Sequence, residues 1–214
     1  MEKSIQIQIN AKYHTQGYLG HQTKHIWFVL HGYGQLAEFF IKKFDFLDKE
    51  TNYVIAPQGL NKFYLKEFSG RVGANWMTKE DRINEIANYI SYLDAVYEHE
   101  LKEMQHQITN KEIQVNLFAF SQGCSTASRW LTYTKFQFGR MLLWAGEIPQ
   151  DVIDNPIFKT TPLQLVYGNQ DELIKTEFVT TFLARLKQHE LSPEIINFDG
   201  KHEVDETLLK KIIC

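Results

Sequence analysis

Phe118-Ala119-Phe120-Ser121-Gln122-Gly123 is the stretch that decides the fold of this 214-residue chain. The apolar run 115–120 predicts a short buried strand, and a helix-compatible run begins directly after Ser121. A serine on such a sharp strand-to-helix turn has its hydroxyl pushed out of the sheet, above the positive end of the helix. This turn, a nucleophile elbow, favours small residues two positions before and after the serine, here Ala119 and Gly123. Glycine is usual at the first position, so Ala119 departs from the pattern by one methyl group.

A Ser-x-Gly sequence after an apolar run also occurs in ordinary loops, so the elbow needs support from the rest of the chain. The composition is that of a globular domain, with 43% hydrophobic and 23% charged residues. No linker, repeat or low-complexity tract interrupts the sequence, which predicts one domain over residues 1–214. The two cysteines do not make a disulfide framework.

Charge and hydropathy exclude several functional classes. A net charge of −3 gives no electrostatic reason to expect binding to nucleic acid or to an anionic membrane surface. No apolar run is long enough to span a bilayer, and the N-terminus lacks the apolar segment of a signal peptide. We therefore expect a cytoplasmic protein without an integral membrane segment.

Predicted strands alternate with predicted helices, which indicates an α/β fold whose mostly parallel central sheet has helices on both faces. Strands are predicted over 26–30, 53–56, 115–120, 141–144, 163–167 and 194–198, and several of them are apolar on both faces. Ile5, Ile7 and Ile9 alternate with polar residues, which predicts a strand with one solvated face. The segment 13–19 is its expected neighbour, so the sheet should begin with an antiparallel N-terminal edge.

Two helices and one loop are predicted before the elbow. Helical spacing predicts a helix over 36–47. Its inward residues should be Leu36, Phe39, Phe40, Phe44 and Leu47. A long amphipathic helix is predicted with Thr78 as its N-cap and apolar residues as far as Met104. Between them, 60–77 shows no clean period, which predicts a long irregular loop.

Four predicted strand ends carry polar residues, and sites in open parallel sheets form beyond the carboxyl ends of strands. These ends are His-Gly-Tyr-Gly at 31–34, Ser121 with Gln122, Asp171, and Gly-Lys-His at 200–202. The chain order serine, acid, histidine is that of an α/β-hydrolase triad. Ser121 is then the nucleophile and His202 the base that takes its proton. Imidazolium has an unperturbed pKa of about 6.5, so neutral imidazole is available as a base near pH 7. Asp171 would hold the imidazole in the correct tautomer and stabilise the imidazolium.

An oxyanion formed at Ser121 needs two hydrogen-bond donors. The backbone N–H of Gln122 is one, because it follows the nucleophile directly. The backbone N–H of Tyr33 is the predicted second donor, in a loop that Gly32 and Gly34 allow to approach the substrate.

Each of these side chains also has a structural alternative. Asp171 would equally close a turn or cap the next helix, and Glu172 beside it is a rival acid. His31 is a rival base, although its place between a strand and Gly32 favours a role in bracing the oxyanion loop. Cys124 lies three positions after Ser121 and is interpreted as a small buried hydrophobic residue.

These segments resemble the small serine α/β-hydrolases of the carboxylesterase, phospholipase and acyl-protein thioesterase group. The matching stretches, in the order of that group, are 30–34, 56–59, 73–76, 120–123, 168–171 and 200–202. The resemblance implies an α/β-hydrolase fold with little or no cap domain and hydrolysis of carboxylic esters or thioesters. It also implies that no metal or cofactor takes part and that Trp76 lies near the acyl site.

The predicted function is that of a serine esterase, which hydrolyses small to medium acyl or aryl esters through an acyl-enzyme. Its partner is then a small-molecule ester. Phe63, Tyr64 and Phe68, together with Trp76, are the predicted substrate pocket, although the same segment would also serve as core packing or as the face of a homodimer. Two alternatives stay open: a hydrolase-fold binding protein that has lost activity, which Ala119 motivates, and the same triad acting on thioester, lysophospholipid or peptide substrates.

Overall fold

A seven-stranded sheet forms the centre of the molecule in a computed structural model that describes residue 1 and residues 3–109 and 112–214. The strands of this part of the chain are β1 Tyr13–Gln16, β2 His25–Leu30, β3 Asn52–Pro57, β4 Asn61–Lys66, β5 Ser69–Asn75, β6 Gln114–Phe120, β7 Arg140–Trp144, β8 Leu163–Gly168 and β9 Glu194–Phe198. The central sheet has the order β1-β3-β2-β6-β7-β8-β9, and β4 pairs with β5 in a separate hairpin. Only β1 runs antiparallel to its neighbour in the central sheet as described. The predicted α/β fold with a mostly parallel sheet is confirmed.

Helices cover both faces of the sheet. They are α1 Ala37–Phe40, α2 Arg82–Leu101, α3 Gln105–Thr109, α4 Gln122–Tyr133, α5 Ile157–Thr160, α6 Thr176–Gln188 and α7 Glu206–Ile213, with 3₁₀ turns at Ile41–Phe44 and Lys102–Met104. Across residues 1, 3–109 and 112–214, none of these helices has both the length and the hydropathy needed to cross a membrane.

Successive residues of the central strands point to opposite faces and build two hydrophobic cores. On β2, Ile26, Phe28 and Leu30 pack into the core that also contains buried residues of α2, α4 and α6. Trp27 and Val29 pack into the opposite core, with residues of α1 and α7. Because both faces of β2 are covered, it is apolar at every one of these positions, as expected for a parallel strand.

The strand register brings the carboxyl ends to one edge of the sheet. Leu30 pairs with Ala119, Phe120 pairs with Trp144, and Gly168 pairs with Phe198. The loops that follow β2, β6, β7, β8 and β9 therefore leave the sheet at the same side.

The predicted N-terminal strand is wrong. No strand occurs before Tyr13 in the described residues, and Ile5, Ile7 and Ile9 are 86%, 75% and 60% exposed. The antiparallel edge is the single strand β1, which pairs with β3. Period-two alternation predicts which face of a strand is buried, but a strand also needs a neighbouring strand to pair with. The Lys12 carbonyl accepts the Gln58 N–H at 3.1 Å, whereas residues 3–11 pair with no strand in the described part of the chain.

The helix predicted over 36–47 is shorter and changes type. The α-helical turn α1 continues as a 3₁₀ turn at Ile41–Phe44, and Phe39 is 58% exposed. A 3₁₀ helix has three residues per turn instead of 3.6, so one α-helical face does not continue across the junction. Phe40, Phe44 and Leu47 are buried as predicted.

The loop predicted over 60–77 is mostly the β4–β5 hairpin, inserted between β3 and α2. The helix that follows begins at Arg82 with Asp81 as its N-cap, so Thr78 is not the cap. The Thr78 N–H and hydroxyl instead bond to the Glu85 carboxylate, which holds the 78–81 turn against the first turn of α2.

Candidate active site

Ser121 occupies a strained turn between β6 and α4. Its backbone has φ +53° and ψ −120°, a region that residues other than glycine enter at a cost on the order of 1–3 kcal/mol. Two hydrogen bonds hold it there: the Ser121 N–H donates to the Trp144 carbonyl at 2.8 Å, and the Ser121 carbonyl accepts from the Cys124 N–H at 2.9 Å. The serine thus sits at the N-terminus of a twelve-residue helix with its side chain partly exposed.

Gly123 is required by the close approach of β2. A Cβ at this position would lie 2.5 Å from the Leu30 carbonyl oxygen and 2.8 Å from that of His31. The nearest obstacles are main-chain atoms of Leu30 and His31, at the end of β2 and directly after it. Ala119 is fully buried in the core that also contains residues of α2, α4 and α6. Gly146, after β7, approaches the elbow from the other side, since a Cβ there would lie 2.7 Å from the Ser121 carbonyl oxygen.

A continuous hydrogen-bonded chain joins Ser121, His202 and Asp171. His202 Nε2 lies 2.9 Å from Ser121 Oγ, and His202 Nδ1 lies 2.7 Å from Asp171 Oδ2. The side chain of His202 is 17% exposed and that of Asp171 is 1% exposed. The ring of His202 also packs on Phe120, with 5.0 Å between the ring centroids. The three predicted side chains therefore meet, with the serine and imidazole at the surface and the carboxylate beneath them.

Asp171 makes the contacts that both of the roles considered for it would need. Its Oδ1 accepts the N–H groups of Leu173 and Ile174, each at 2.8 Å, and so closes the turn after β8. Its Oδ2 remains for His202. The rival acid, Glu172, is exposed on this turn.

Backbone contacts hold the loop of the acid against the loop of the histidine. The Gln170 N–H donates to the Gly200 carbonyl at 2.9 Å, and the Asn169 N–H donates to the Phe198 carbonyl at 2.9 Å. Gly168 must be a glycine, because a Cβ there would lie 2.3 Å from the Gly200 carbonyl oxygen. The separation of acid and imidazole is thus fixed by main-chain pairing of two neighbouring strand ends.

His31 is a buried brace in the loop after β2. Its Nε2 accepts the Gly59 N–H at 3.0 Å, so Nδ1 carries the proton and donates to the Gly32 carbonyl at 2.7 Å. The ring stacks on Trp76 with 4.9 Å between centroids. Burial lowers the pKa of His31 to about 4, against the smaller opposing effect of the Gly32 carbonyl. With both nitrogens engaged, this imidazole is not available as a base for Ser121.

The two backbone N–H groups predicted to bind the oxyanion are unpaired. Within residues 1, 3–109 and 112–214, neither the Tyr33 N–H nor the Gln122 N–H donates to another group. Gln122 is the first residue of α4. Its N–H therefore lacks an intrahelical acceptor and lies at the positive end of the helix dipole.

The loop with Tyr33 is attached to the hairpin, which sequence reasoning missed. The Gly34 N–H donates to the Ala74 carbonyl at 2.8 Å, and the Ala74 N–H donates to the Gln35 carbonyl at 3.1 Å. The side chain of Gln35 accepts the Gly32 N–H at 2.8 Å. Gln35 directly follows the glycine-rich turn, but its role depends on β5, which has no clear signal in the sequence.

The predicted pocket residues lie on or next to the hairpin. Trp76 is 1% exposed and donates its Nε1–H to the His31 carbonyl at 2.8 Å, beneath the oxyanion loop. Phe63 packs against the ring of Tyr33, with 5.0 Å between centroids. Tyr64 is 50% exposed, and Phe68 near the hairpin turn is 93% exposed. The assignment of these aromatic residues to a substrate pocket, and the alternative homodimer face, stay predictions.

Cys124 lies in the core beneath the elbow. It is fully buried, and its thiol points at the carbonyls of Ala119 and Trp144, at 3.3 and 3.4 Å. Burial raises the pKa of this thiol far above its usual range. Such a group is a packing residue and is not a competing nucleophile.

Comparisons with known proteins give a family match and a set of similar folds. A sequence profile of the family described as Serine hydrolase (FSH1) matches residues 21–209 of this chain. Among curated proteins, none matches the chain at a significant level. Similar solved structures include acyl-protein thioesterase 2 from Zea mays (15% identity, 95% of this chain, 96% of that chain, TM-score 0.66), esterase PE8 (16%, 96%, 100%, 0.62) and a carboxylesterase from Mesorhizobium loti (14%, 88%, 88%, 0.65). At these identities the structures show a shared fold, the α/β-hydrolase fold.

Proposed function

The chain belongs to the FSH1 family of serine hydrolases, and from this premise we propose that it is an esterase that cleaves carboxylic esters through an acyl-enzyme at Ser121. One observation carries the proposal: the unbroken hydrogen-bonded path from Ser121 Oγ through His202 to Asp171 Oδ2, with distances of 2.9 and 2.7 Å. A serine hydroxyl is a weak nucleophile, and this path supplies the base and the orienting acid that it needs.

The reaction has two halves that use the same groups. In the first, Ser121 Oγ attacks the acyl carbonyl while its proton passes to His202 Nε2, and His202 then gives that proton to the departing alcohol. In the second, water gives a proton to His202 Nε2 and attacks the acyl-serine ester, and the acid leaves as Ser121 recovers its proton. Asp171, at 2.7 Å from His202 Nδ1, stabilises the imidazolium that forms twice.

The free N–H groups of Tyr33 and Gln122 support the proposed oxyanion hole. Each tetrahedral intermediate has a negative oxygen, and an unpartnered backbone donor near the elbow is ready to bind it without reorganisation. Loss of one such donor typically costs about 2.7–4 kcal/mol of barrier stabilisation.

Apolar surface beside the elbow supports uncharged acyl or aryl substrates. Tyr33 is 58% exposed and lies against Phe63, so the loop that supplies the proposed second donor also presents an aromatic surface. Aromatic side chains with a few placed donors are typical of sites for small organic ligands. The solved structures with the same fold include proteins named esterase, carboxylesterase and acyl-protein thioesterase, so ester and thioester are the bonds to test.

A panel of p-nitrophenyl esters from acetate to dodecanoate, with a matched butyryl thioester, tests the proposal. Ester turnover and one fluorophosphonate adduct at Ser121 are expected, and Ser121→Ala should lower kcat by more than about 10³-fold. Ser125→Ala, which removes a hydroxyl one turn along the same helix, is the matched control and should keep full activity. An inactive wild type with no adduct would support the binding-protein alternative, and a strong preference for the thioester would move the assignment to that bond.

A further inference from the structure

The side chain of Gln122 links the elbow to the hairpin by two hydrogen bonds. Its Oε1 accepts the Trp76 N–H at 3.1 Å, and its Nε2 donates to the Met77 carbonyl at 2.8 Å. Both contacts are partly buried. This arrangement needs one acceptor and one donor on the same side chain, which is the chemistry of a primary amide. The side chain thus joins the elbow to the main chain of residues 76–77, which directly follow β5.

The strand β5, which residues 76–77 directly follow, also holds the loop with Tyr33. Gly34 and Ala74 are joined by a 2.8 Å hydrogen bond, and the Trp76 Nε1–H donates to the His31 carbonyl at 2.8 Å. Gly73 lies against Gly34 so closely that a Cβ at 73 would be 2.4 Å from the Gly34 carbonyl oxygen. The end of β5 is therefore attached both to the loop with Tyr33 and to the residue after the nucleophile.

We propose that the Gln122 side chain is a positioning group, which sets the separation of the two backbone donors of the oxyanion hole. This inference rests on the proposed function. One donor is the Gln122 N–H itself, and the other, the Tyr33 N–H, is tied to the Gln122 side chain through β5. Without the amide, the two donors belong to loops that are no longer joined at this point. Because the oxyanion exists only in the transition state and intermediates, misplaced donors reduce kcat and leave substrate binding nearly unchanged.

Gln122→Met is the main test, because methionine is similar in length and makes neither hydrogen bond. We expect kcat for a p-nitrophenyl ester to fall by about 10- to 100-fold while KM changes by less than about threefold. Gln16→Met is the matched control. Gln16 is the last residue of β1, at the edge of the sheet, and its Nε2 donates to the Phe44 carbonyl at 3.1 Å. Gln16→Met loses one hydrogen bond of the same kind where Gln122→Met loses two, so its melting temperature should fall by a smaller amount while its kcat stays unchanged.

A transition-state mimic separates positioning from general loss of structure. The ketone 1,1,1-trifluoro-4-phenylbutan-2-one is attacked by Ser121 Oγ, whose proton passes to His202 as the ketone oxygen becomes the oxyanion. In Gln122→Met its inhibition constant should rise by the same factor as kcat falls, whereas inhibition by the matched alcohol 1,1,1-trifluoro-4-phenylbutan-2-ol, which forms neither an adduct nor an oxyanion, should not change. If the methionine variant does not fold, Gln122→Glu replaces it, since it keeps the acceptor for Trp76, loses the donor to Met77, and must show the same split.

The outcomes distinguish this inference from the proposed function. A wild type with no ester turnover and no adduct at Ser121 removes the proposed function and this inference with it. Two results with an active wild type overturn the inference alone: Gln122→Met keeps kcat within about threefold, or it loses kcat and affinity for the matched alcohol by the same factor.

Discussion

Replacing Asp171 by asparagine is a sharp test of the triad, because its two carboxylate oxygens have different partners. Oδ1 accepts two backbone N–H groups, from Leu173 and Ile174, and Oδ2 faces His202 Nδ1 at 2.7 Å. The introduced amide has nearly the same shape but only one oxygen. Its NH₂ group must therefore face either the two backbone donors or the imidazole.

The backbone donors decide this orientation. Turning the NH₂ group toward them removes two hydrogen bonds worth about 1 kcal/mol each, whereas turning it toward His202 keeps both. The second orientation is thus favoured by about 2 kcal/mol, which leaves about 3% of molecules with the amide oxygen toward Nδ1. An NH₂ group against Nδ1 moves the imidazole proton to Nε2, which then cannot accept the proton of Ser121.

We therefore expect Asp171→Asn to lower kcat by about 10⁴-fold, or about 5 kcal/mol of transition-state stabilisation. The wrong tautomer accounts for about 30-fold, and the rest is the lost charge that stabilises the imidazolium. Steady-state hydrolysis of p-nitrophenyl butyrate and the rate of fluorophosphonate labelling measure the effect, with a melting curve to check folding. Glu172→Gln is the matched control, since it neutralises the adjacent exposed carboxylate. A loss below about tenfold in Asp171→Asn, or an equal loss in the control, would refute the reasoning.

Three further predictions concern the surroundings of the site. Gly123→Ala should lower kcat by more than about 100-fold, because its Cβ would lie 2.5 Å from the Leu30 carbonyl oxygen and displace the elbow; wild-type ester kinetics would contradict this. The pKa of His31 is about 4 when folded and about 6.5 when unfolded, so the unfolded chain binds more protons between these values. Stability should therefore fall by up to roughly 3 kcal/mol as the pH drops through this window, and urea unfolding near pH 7 and pH 4.5 should show a smaller fall in His31→Asn; an equal fall would argue against it. Iodoacetamide should alkylate the exposed Cys214 and spare the buried Cys124 in the native protein, and peptide mapping that finds Cys124 modified early would disprove this.

The central sheet and the three triad residues could be predicted because their signals are local. A parallel strand covered on both faces is a continuous apolar run, and the runs that contain Ile26, Phe118 and Leu143 are such strands in the structure. Parallel strands place their carboxyl ends at one edge, so a residue that follows such a strand lies near residues that follow its neighbours. That rule alone brings Ser121 near the loops that carry the acid and the histidine.

The hairpin and the N-terminal segment could not be predicted, because their structure depends on partners elsewhere. β4 and β5 pair mainly with each other, and no residue of β4 is buried. β5 is exposed over its first four residues and buried over its last three, so neither strand is a continuous apolar run. The register shift between Tyr64 and Lys66 disrupts the alternation further. The alternating isoleucines at 5, 7 and 9 carry a strand pattern, yet a pattern cannot supply the neighbouring strand that would make it one.

This difference divides the site into two parts with different origins. The side chains of the triad are positioned by the sheet, whose strands are evident from sequence, whereas the proposed backbone donors depend on the hairpin, which is not. The contact of Gly73 with Gly34 and the bonds of the Gln122 amide to residues 76–77 tie β5 to both donors. If the donors act as proposed, the hairpin belongs to the catalytic apparatus although it contributes no reacting group. Variation in its sequence would then alter the transition-state stabilisation supplied by the oxyanion hole while leaving the hydrogen-bonded path from Ser121 to Asp171 intact.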